Sequence, residues 1–290
     1  MPILKLRLMI LYSFANRQDK DFMKIYHYTS IQTLALILKH KKIRFNRLDL
    51  VDDMEESIYG SGPFQTKLGI YTFVSCWTKN SRENLALWNM YTRYKGVRIG
   101  LDEMPFITHK VNENFTSLIP YHLKFGSDYF MTLVDNEAKL YDVEYVSNPQ
   151  EEIKKLITPT EKGYSIDTTR IGIFKRKEWS MQEESRFKIN VNPVDVNGAA
   201  KETLNNPTAH PYQFLFKIFS TFGNSLITNK PIETTYIDLD LDNKKLDNIE
   251  IMMGPLTSEA DRVIVESLLN PFANAHICES VFRGKLREKS

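Results

Sequence analysis

Cysteine is scarce in this sequence: the chain has only Cys76 and Cys278, and they lie far apart. Zinc ribbons and thioredoxin-type redox sites need cysteines in closely spaced pairs, and small disulfide-rich scaffolds need several bridges. The cysteine pattern therefore excludes these classes of protein. It is typical of a reducing compartment, and we expect a cytoplasmic protein.

Several other signatures of common functions are missing. No apolar run approaches the roughly 20 residues that a membrane-spanning helix requires, so we expect no membrane partner. The chain has neither a P-loop nor a G-x-G-x-x-G motif. The histidines lack metal-ligand spacing, and the acidic stretch 238–250 has Asn243 and Ile249 where a calcium loop needs glycine and glutamate. We therefore predict no metal site.

Charge of one sign is not in excess: 38 basic residues face 36 acidic ones, and the net charge is +2. Such a balance neither implies nor excludes a nucleic-acid partner. With 290 residues, of which 42% are hydrophobic, the chain is long enough for one large domain or two small ones. Because no repeat or linker divides it, we predict a single domain over residues 23–290.

Residues 1–22 are interpreted as an N-terminal extension. Basic residues precede a short apolar stretch, as in a signal peptide. However, Lys5 and Arg7 interrupt the hydrophobicity, and no small-residue cleavage site follows. Met23 stands directly before the first clear strand and is an alternative start of the functional protein.

The apolar periodicity predicts strands and helices in irregular succession. Residues 22–28 are rich in β-formers, and Thr29 opens a Thr-Ser-Ile-Gln capping box for a helix that ends in the basic run KHKK. A strand end beside a helix N-terminus is a common anion site, which favours a pocket at His27. Further strands are predicted at the start of 43–57 and at 69–77, 96–102, 140–146, 183–191, 235–241 and 249–254, and further helices at 81–91, 150–157, 166–178, 212–222 and 258–269. Because strands and helices do not alternate regularly, the predicted fold class is α+β.

Three stretches combine residue types that carry chemistry. The first joins HYTS at 27–30 with DDMEES at 52–57, the second spans 74–102, and the third spans 175–189. The second and third hold all three tryptophans, Trp77, Trp88 and Trp179. In order and spacing, the stretches resemble a bacterial family of formally uncharacterised domains that is grouped with the ADP-ribosyltransferase-like superfamily.

The pattern of that family has an early H-Y-T/S, an acidic N-D-P-x-E-like loop, a C-F/W-S strand, a W-x-x-Y helix with K-G-V, a W-x-x-E-x-E-x-R segment and a late G-P. The corresponding residues are His27 to Thr29, Asp52 to Glu56, Cys76 to Thr78, Trp88 to Tyr91, Lys95 to Val97, Trp179 to Arg186, and Gly254-Pro255. Two positions depart from the pattern. Met54 replaces the proline, and Gln182 replaces the first glutamate of the segment that contains Glu184 and Arg186.

The resemblance implies a split β-sheet core with flanking helices, and a cleft that binds NAD and breaks the bond between nicotinamide and ribose. Such a reaction passes through an oxocarbenium-like sugar, which a nearby carboxylate stabilises. Glu184 is the candidate, and we expect it to hold a hydroxyl of the nicotinamide ribose and to orient the incoming nucleophile. The strand period of two independently places Glu184, Arg186 and Lys188 opposite the apolar positions 187, 189 and 191.

Five further residues are candidate NAD contacts through the same resemblance. His27, also a catalytic candidate, would hydrogen-bond a ribose hydroxyl or a carbonyl, and Thr29 would add a hydroxyl near the dinucleotide. Tyr28 or Trp88 would stack on a ring, and Tyr91 would form a wall of the cleft.

Two arginines complete the set. Arg186, the third catalytic candidate, would pair with Glu184 or with the pyrophosphate, which its planar guanidinium fits. Arg47 is a weaker candidate for a phosphate contact.

Each assignment has a structural alternative. His27 is alternatively a satisfied residue within its strand, and Trp88 and Tyr91, one helical turn apart, are alternatively core packing. Glu184 and Arg186 are alternatively an ion pair on the surface of the sheet.

The function that the resemblance implies is transfer of ADP-ribose from NAD to a macromolecular acceptor, which is protein, DNA or RNA. Toxin-like members of the superfamily suggest an effector of phage defence or of a toxin–antitoxin pair, with an antitoxin or chaperone as partner. Two alternatives remain open. One is an NAD glycohydrolase that uses water as acceptor, and the other is a non-catalytic protein that binds a nucleotide or a partner.

Overall fold

Strands and helices are mixed along the chain, and the fold class is α+β, with a large mixed sheet and a few helices. The computed structural model describes residues 23–57, 67–120, 123–161, 163–194, 212–213, 225 and 228–287. The extension 1–22 and nearly all of the predicted helix 212–222 lie outside the described residues. Within the described ranges, no helix combines the length and the apolar character needed to cross a bilayer.

The first elements are strand β1 (Lys24–Thr29), helix α1 (Ile31–His40) and strand β2 (Lys42–Arg47). The helix cap is Ser30, whose hydroxyl accepts from the Thr33 amide at 3.0 Å, so the predicted cap at Thr29 was wrong by one residue. The reason is that Thr29 still belongs to the ladder of β1, opposite Val97. Lys41 ends the helix in the left-handed region, with a φ of 53°.

The next elements are strand β3 (Thr72–Thr78), helix α2 (Leu85–Thr92) and strand β4 (Val97–Asp102). Helix α2 begins later than the predicted start at residue 81, because its cap is Asn84. The Asn84 side chain accepts from the amides of Ala86 and Leu87. The Tyr28 hydroxyl accepts from the backbone amide of Asn84 at 3.1 Å, and this contact ties the helix start to β1.

The remaining elements extend the sheet or form small ribbons beside it. In chain order they are β5 (His109–Lys110), β6 (Thr116–Ser117), β7 (Leu123–Phe125), β8 (Tyr129–Thr132), β9 (Tyr141–Asp142), β10 (Glu144–Val146), α3 (Pro149–Lys154), β11 (Ile157–Thr160), β12 (Gly163–Ile166), β13 (Phe174–Arg176), β14 (Glu184–Asn190), β15 (Asn192–Pro193), β16 (Tyr236–Asp240), α4 (Asn243–Leu246), β17 (Glu250–Met253), α5 (Glu259–Leu269) and β18 (His276–Glu279). The side chains of Asn148 and Ser258 cap α3 and α5, close to the predicted starts of these helices at residues 150 and 258.

The predicted helix at 166–178 was wrong. This segment contains a short 3₁₀ turn at Thr168–Arg170 and the strand β13, and a second 3₁₀ turn follows at Lys177–Gln182. Gly172 adopts a φ of +76°, which a right-handed helix cannot include. Strand β13 instead pairs in parallel with β10. Tertiary pairing therefore decides the structure of this segment.

The main sheet has the order β16-β2-β3-β1-β4-β17-β18; in addition, β14 pairs with β3, and β9 pairs with β14. Strand β3 pairs with β14 along its whole length, from Thr72 opposite Asn190 to Thr78 opposite Glu184. Its other edge is shared. Strand β2 pairs there with residues 73 and 74, and β1 pairs only through Tyr26 opposite Thr78. Strands β2 and β1 thus pair with different parts of the same edge of β3 and separate from each other between these pairings.

Strands β3 and β14 form the centre of the core. Every residue of β14 is buried, including the polar ones. On its apolar face, the Phe187 ring meets Phe106 and Trp77 edge-on, at centroid distances of 4.9 and 6.4 Å. Its polar face is covered by β13 and the 3₁₀ turn Met54–Ser57. The core therefore contains buried polar side chains on this face of β14, next to the point where β1 and β2 separate.

Candidate functional site

A cleft opens where β1 and β2 separate along β3. Between the two pairings, residues 75–77 of β3 have no ladder partner on this edge within the described part of the chain. The cleft has a volume of about 810 Å³ and is lined by β1, α1, β2, β3, β13 and β14. Small-molecule sites usually measure about 300–1,000 Å³. A smaller cavity of about 50 Å³ shares His27, Tyr28, Cys76, Tyr91 and Glu184 with it.

His27 lies at the separation of the two strands and lines the cleft. Its Nδ1 atom is 2.8 Å from the carbonyl oxygen of Cys76, so the ring supplies a bond where the ladder is interrupted. A carbonyl only accepts, which places the proton on Nδ1. Burial lowers the pKa of His27, and the neutral ring therefore presents Nε2 as a hydrogen-bond acceptor.

Glu184 also lines the cleft and belongs to a buried cluster of four ions. Its Oε1 atom accepts from Arg186 Nε at 2.6 Å, and its Oε2 atom accepts from Arg186 Nη2 at 3.1 Å and from Lys175 Nζ at 2.9 Å. Glu56 is the second anion and pairs with both cations. The surface ion pair considered for Glu184 and Arg186 was therefore wrong, because the four side chains are almost fully enclosed.

The charge state of Glu184 follows from these contacts. Burial alone would raise its pKa, but Arg186 and Lys175 outweigh this effect and lower the pKa from 4.5 to about 2. Glu184 is thus a permanent carboxylate at neutral pH. It can stabilise a positive charge or accept from a hydroxyl, and it is a poor proton donor or base.

Arg186 has no donor left for a pyrophosphate. A guanidinium has five N–H groups. In the structure they meet both oxygens of Glu184, both oxygens of Glu56 and the carbonyl of Gly172 at 2.7 Å. Of the two predicted roles, pairing with Glu184 is confirmed and the phosphate contact is not supported.

Of the remaining candidate NAD contacts, some line the cleft and the others do not. Tyr28, Thr29 and Tyr91 line the cleft. Trp88 is wrongly placed by the resemblance: its side chain is 0% exposed, packs edge-on against Tyr28 at 4.8 Å and donates to Glu83. Arg47 is also corrected, since Asp49 and two backbone carbonyls bind its guanidinium and it does not line the cleft.

The two departures from the family pattern leave the cluster intact. Met54, at the position where the family pattern has proline, is 75% exposed and therefore lies at the surface. Gln182 accepts from Lys175 Nζ at 2.7 Å and donates to the Tyr91 hydroxyl at 3.2 Å. It therefore links the cluster to the cleft wall as a neutral group.

Sequence reasoning gave no role to Lys175, Glu56 or Cys76, although each lies in a stretch that stood out. Glu56 belongs to the acidic loop, and Lys175 begins the third stretch. Only the fold places the loop and β13 on the polar face of β14. Among the described residues, no group of three or more His, Cys, Asp or Glu side chains is arranged to hold a metal ion.

Comparison with protein-family models, curated proteins and solved structures finds no match for this chain. The site is therefore interpreted from its own geometry.

The acid stability of the protein is predicted to depend on Glu184. Because its folded pKa lies below its usual value of 4.5, the unfolded chain binds more protons as the pH falls from 4.5 towards 2. The stability that Glu184 contributes is fully present above pH 4.5 and is lost across that window. We expect the free energy of unfolding to fall more steeply with acid for the wild type than for Glu184→Gln. Urea unfolding at a series of pH values measures both slopes, and equal slopes would contradict the assignment.

Proposed function

We propose that this protein is an NAD-dependent ADP-ribosyltransferase that transfers ADP-ribose to a macromolecular acceptor. The observation that carries the proposal is that a buried, ionised Glu184 and a neutral His27 line the same cleft from different strands. A fixed anion beside a hydrogen-bond acceptor suits the cleavage of a glycosidic bond that develops positive charge.

The division of the sheet supports the finer fold proposal, an ADP-ribosyltransferase-like split sheet. Strand β3 carries β2 on one half of an edge and β1 on the other, and the cleft lies between them. His27 closes part of the gap through its bond to Cys76. A dinucleotide lying in this gap would pass directly over the end of β14 that carries Glu184.

In the proposed reaction, the bond between nicotinamide and C1 of the ribose breaks, and its electron pair leaves with nicotinamide. A nucleophilic oxygen or nitrogen of the acceptor forms the new bond to C1 and releases its proton to water. The positive charge that develops on the ribose is stabilised by the Glu184 carboxylate. Arg186, Lys175 and the Cys76 thiol hold the carboxylate, and at the cleft it would accept from a ribose hydroxyl. The His27 Nε2 atom would accept from another hydroxyl.

The smaller cavity next to the cleft is the proposed place of the nicotinamide ring. Tyr28, Leu87 and Tyr91 contribute to its walls, and Glu184 lies at its boundary. Aromatic side chains bind flat rings through their faces and edges. This orientation places the bond to be broken beside the carboxylate.

The acceptor and the cellular role are further parts of the proposal. The cleft is large enough to admit a side chain or a nucleotide of a macromolecule after nicotinamide leaves, and the net charge of +2 selects neither protein, DNA nor RNA. We propose a cytoplasmic toxin or antiviral effector whose cleft an antitoxin or chaperone would cover.

The deciding experiment uses NAD labelled on the adenylate phosphate. Purified protein is incubated with it and with cell extract that has been separated into protein, DNA and RNA. We expect label in one fraction with the wild type and none with Glu184→Gln. Free ADP-ribose without labelled polymer would identify an NAD glycohydrolase instead. Binding of NAD without consumption would identify a non-catalytic protein.

His27→Asn is predicted to weaken NAD binding more than turnover. The Asn amide still donates to the Cys76 carbonyl, but nothing replaces the acceptor at Nε2. Loss of one hydrogen bond to a substrate hydroxyl costs about 0.5–1.5 kcal/mol, which corresponds to an increase of up to about tenfold in KM. Initial rates over a range of NAD concentrations give KM and kcat. An unchanged KM would remove His27 from the binding site.

A further inference from the structure

Lys175 is a buried cation that borders the cleft, and no sequence pattern assigned it a function. Its ammonium group contacts Gln182 Oε1 at 2.7 Å, Glu184 Oε2 at 2.9 Å and Glu56 Oε1 at 3.1 Å. Two of its three N–H donors make hydrogen bonds, to Gln182 and Glu184, and Glu56 adds an ion pair. The group is therefore held in one place, and it cannot turn towards a substrate without breaking a contact to the cluster.

Lys175 and Arg186 bind Glu184 from different elements. Arg186 is two residues along β14 and reaches both carboxylate oxygens, whereas Lys175 comes from β13 and reaches only Oε2. Together they give Oε2 two hydrogen bonds and Oε1 one, and the Cys76 thiol also hydrogen-bonds the carboxylate. Lys175 thus holds Oε2 from a second direction and fixes the orientation of the carboxylate beside the cleft.

The same ammonium group connects Glu184 with the wall of the cleft. Gln182 accepts from Lys175 and donates to the Tyr91 hydroxyl at 3.2 Å, and the Tyr91 side chain is 41% exposed. Above Lys175, the Trp179 ring centroid lies 5.2 Å from Nζ. These neighbours fix the lysine within a chain of contacts that ends at the proposed ring site.

We infer that Lys175 is a positioning residue for Glu184: by binding Oε2 it holds the carboxylate in one orientation at the cleft, and it balances the second buried negative charge. The inference rests on the proposed function, because the substrate is the ribose of NAD. A lysine that serves only the fold would affect stability and leave the reaction of the folded enzyme unchanged. A positioning lysine affects kcat through Glu184.

The test compares Lys175→Met, which removes the charge, with Lys175→Arg, which keeps it. We expect Lys175→Met to lower kcat by about 10- to 100-fold with little change in KM, because the misplaced carboxylate stabilises the transition state less well. Lys175→Arg is expected to recover most of kcat. Lys177→Met is the matched control, since Lys177 is exposed two residues away and lies outside the cleft lining. A folded Lys175→Met protein with wild-type kcat would overturn the inference.

A double-mutant cycle shows whether Lys175 acts through Glu184. In the Glu184→Gln background, Lys175→Met is expected to cause no further loss of kcat. An equal further loss would mean an independent role and would also overturn the inference. The double variant removes one cation and one anion, so its cluster stays balanced. Lys175→Gln, which keeps a donor, takes the place of Lys175→Met if that variant does not fold.

One readout does not depend on activity. The titration of the Glu184 carboxyl, followed by ¹³C NMR and assigned with Glu184→Gln, is expected to move to higher pH in Lys175→Met, since one of its two cations is gone. If the wild type does not consume NAD but this titration moves, the proposed function fails while the coupling between the two residues stands. An unmoved titration contradicts the coupling itself.

Discussion

Glu184→Gln is expected to lower the kcat for NAD cleavage by about 100-fold or more. The glutamine has the same shape as the carboxylate but no charge, so it no longer stabilises the developing positive charge on the ribose. Binding of NAD is expected to change much less, because the ground state carries less charge at this carbon. Single-turnover release of nicotinamide measures the chemical step directly.

The matched control is Glu183→Gln. Glu183 is the neighbouring residue, but its side chain is exposed and does not line the cleft. We expect this variant to keep wild-type kcat. Circular dichroism and urea unfolding show whether Glu184→Gln is folded, which we expect because Glu56 still pairs with both buried cations. A folded Glu184→Gln protein with full activity would refute the central assignment.

Arg186→Met is expected to destabilise the folded protein by about 3–5 kcal/mol. The guanidinium supplies five hydrogen bonds inside the cluster, four of them to Glu184 and Glu56. Its removal leaves two buried carboxylates with Lys175 as their remaining cation within the described cluster. Since small globular proteins are stable by only about 5–15 kcal/mol, the variant would lie near the limit of folding.

Urea unfolding at neutral and mildly acidic pH measures this loss. We expect the difference from the wild type to shrink as the pH falls, because protonation of a carboxyl relieves the uncompensated charge. Arg170→Met is the control, since its ion pair with Glu144 is exposed on both sides. Exposed pairs contribute about 0–1 kcal/mol, so a small change is expected there. Equal losses for the two variants would mean that the cluster does not stabilise the fold.

Local features of the sequence were sufficient for much of the secondary structure. The helix at 31–40 and the caps at Asn148 and Ser258 depend on neighbours within a few residues, and they occur where the pattern predicts helices. The period of two along β14 correctly places Glu184 and Arg186 on one face, where they pair. This period does not show whether the polar face is exposed to solvent, because the burial of the face depends on which other elements pack against it.

Long-range contacts account for the errors. Residues 166–178 include a strand because β10 is available to pair with β13, and Trp88 is core because Tyr28 packs against it from β1. The ion pairs of Glu56 likewise cannot be predicted from the sequence of its loop. Its partner Arg186 lies 130 residues further along the chain.

The sequence by itself determined the α+β class, the strand that contains Glu184, and the position of His27 in a strand directly before a helix. These features follow from periodicity and helix capping. Only the tertiary structure decided that the sheet divides along β3, that His27 and Glu184 share one cleft, and that four ions lie buried beneath it. The physical reason is that a buried charge is stable only beside its partners, and here those partners come from three separate segments of the chain.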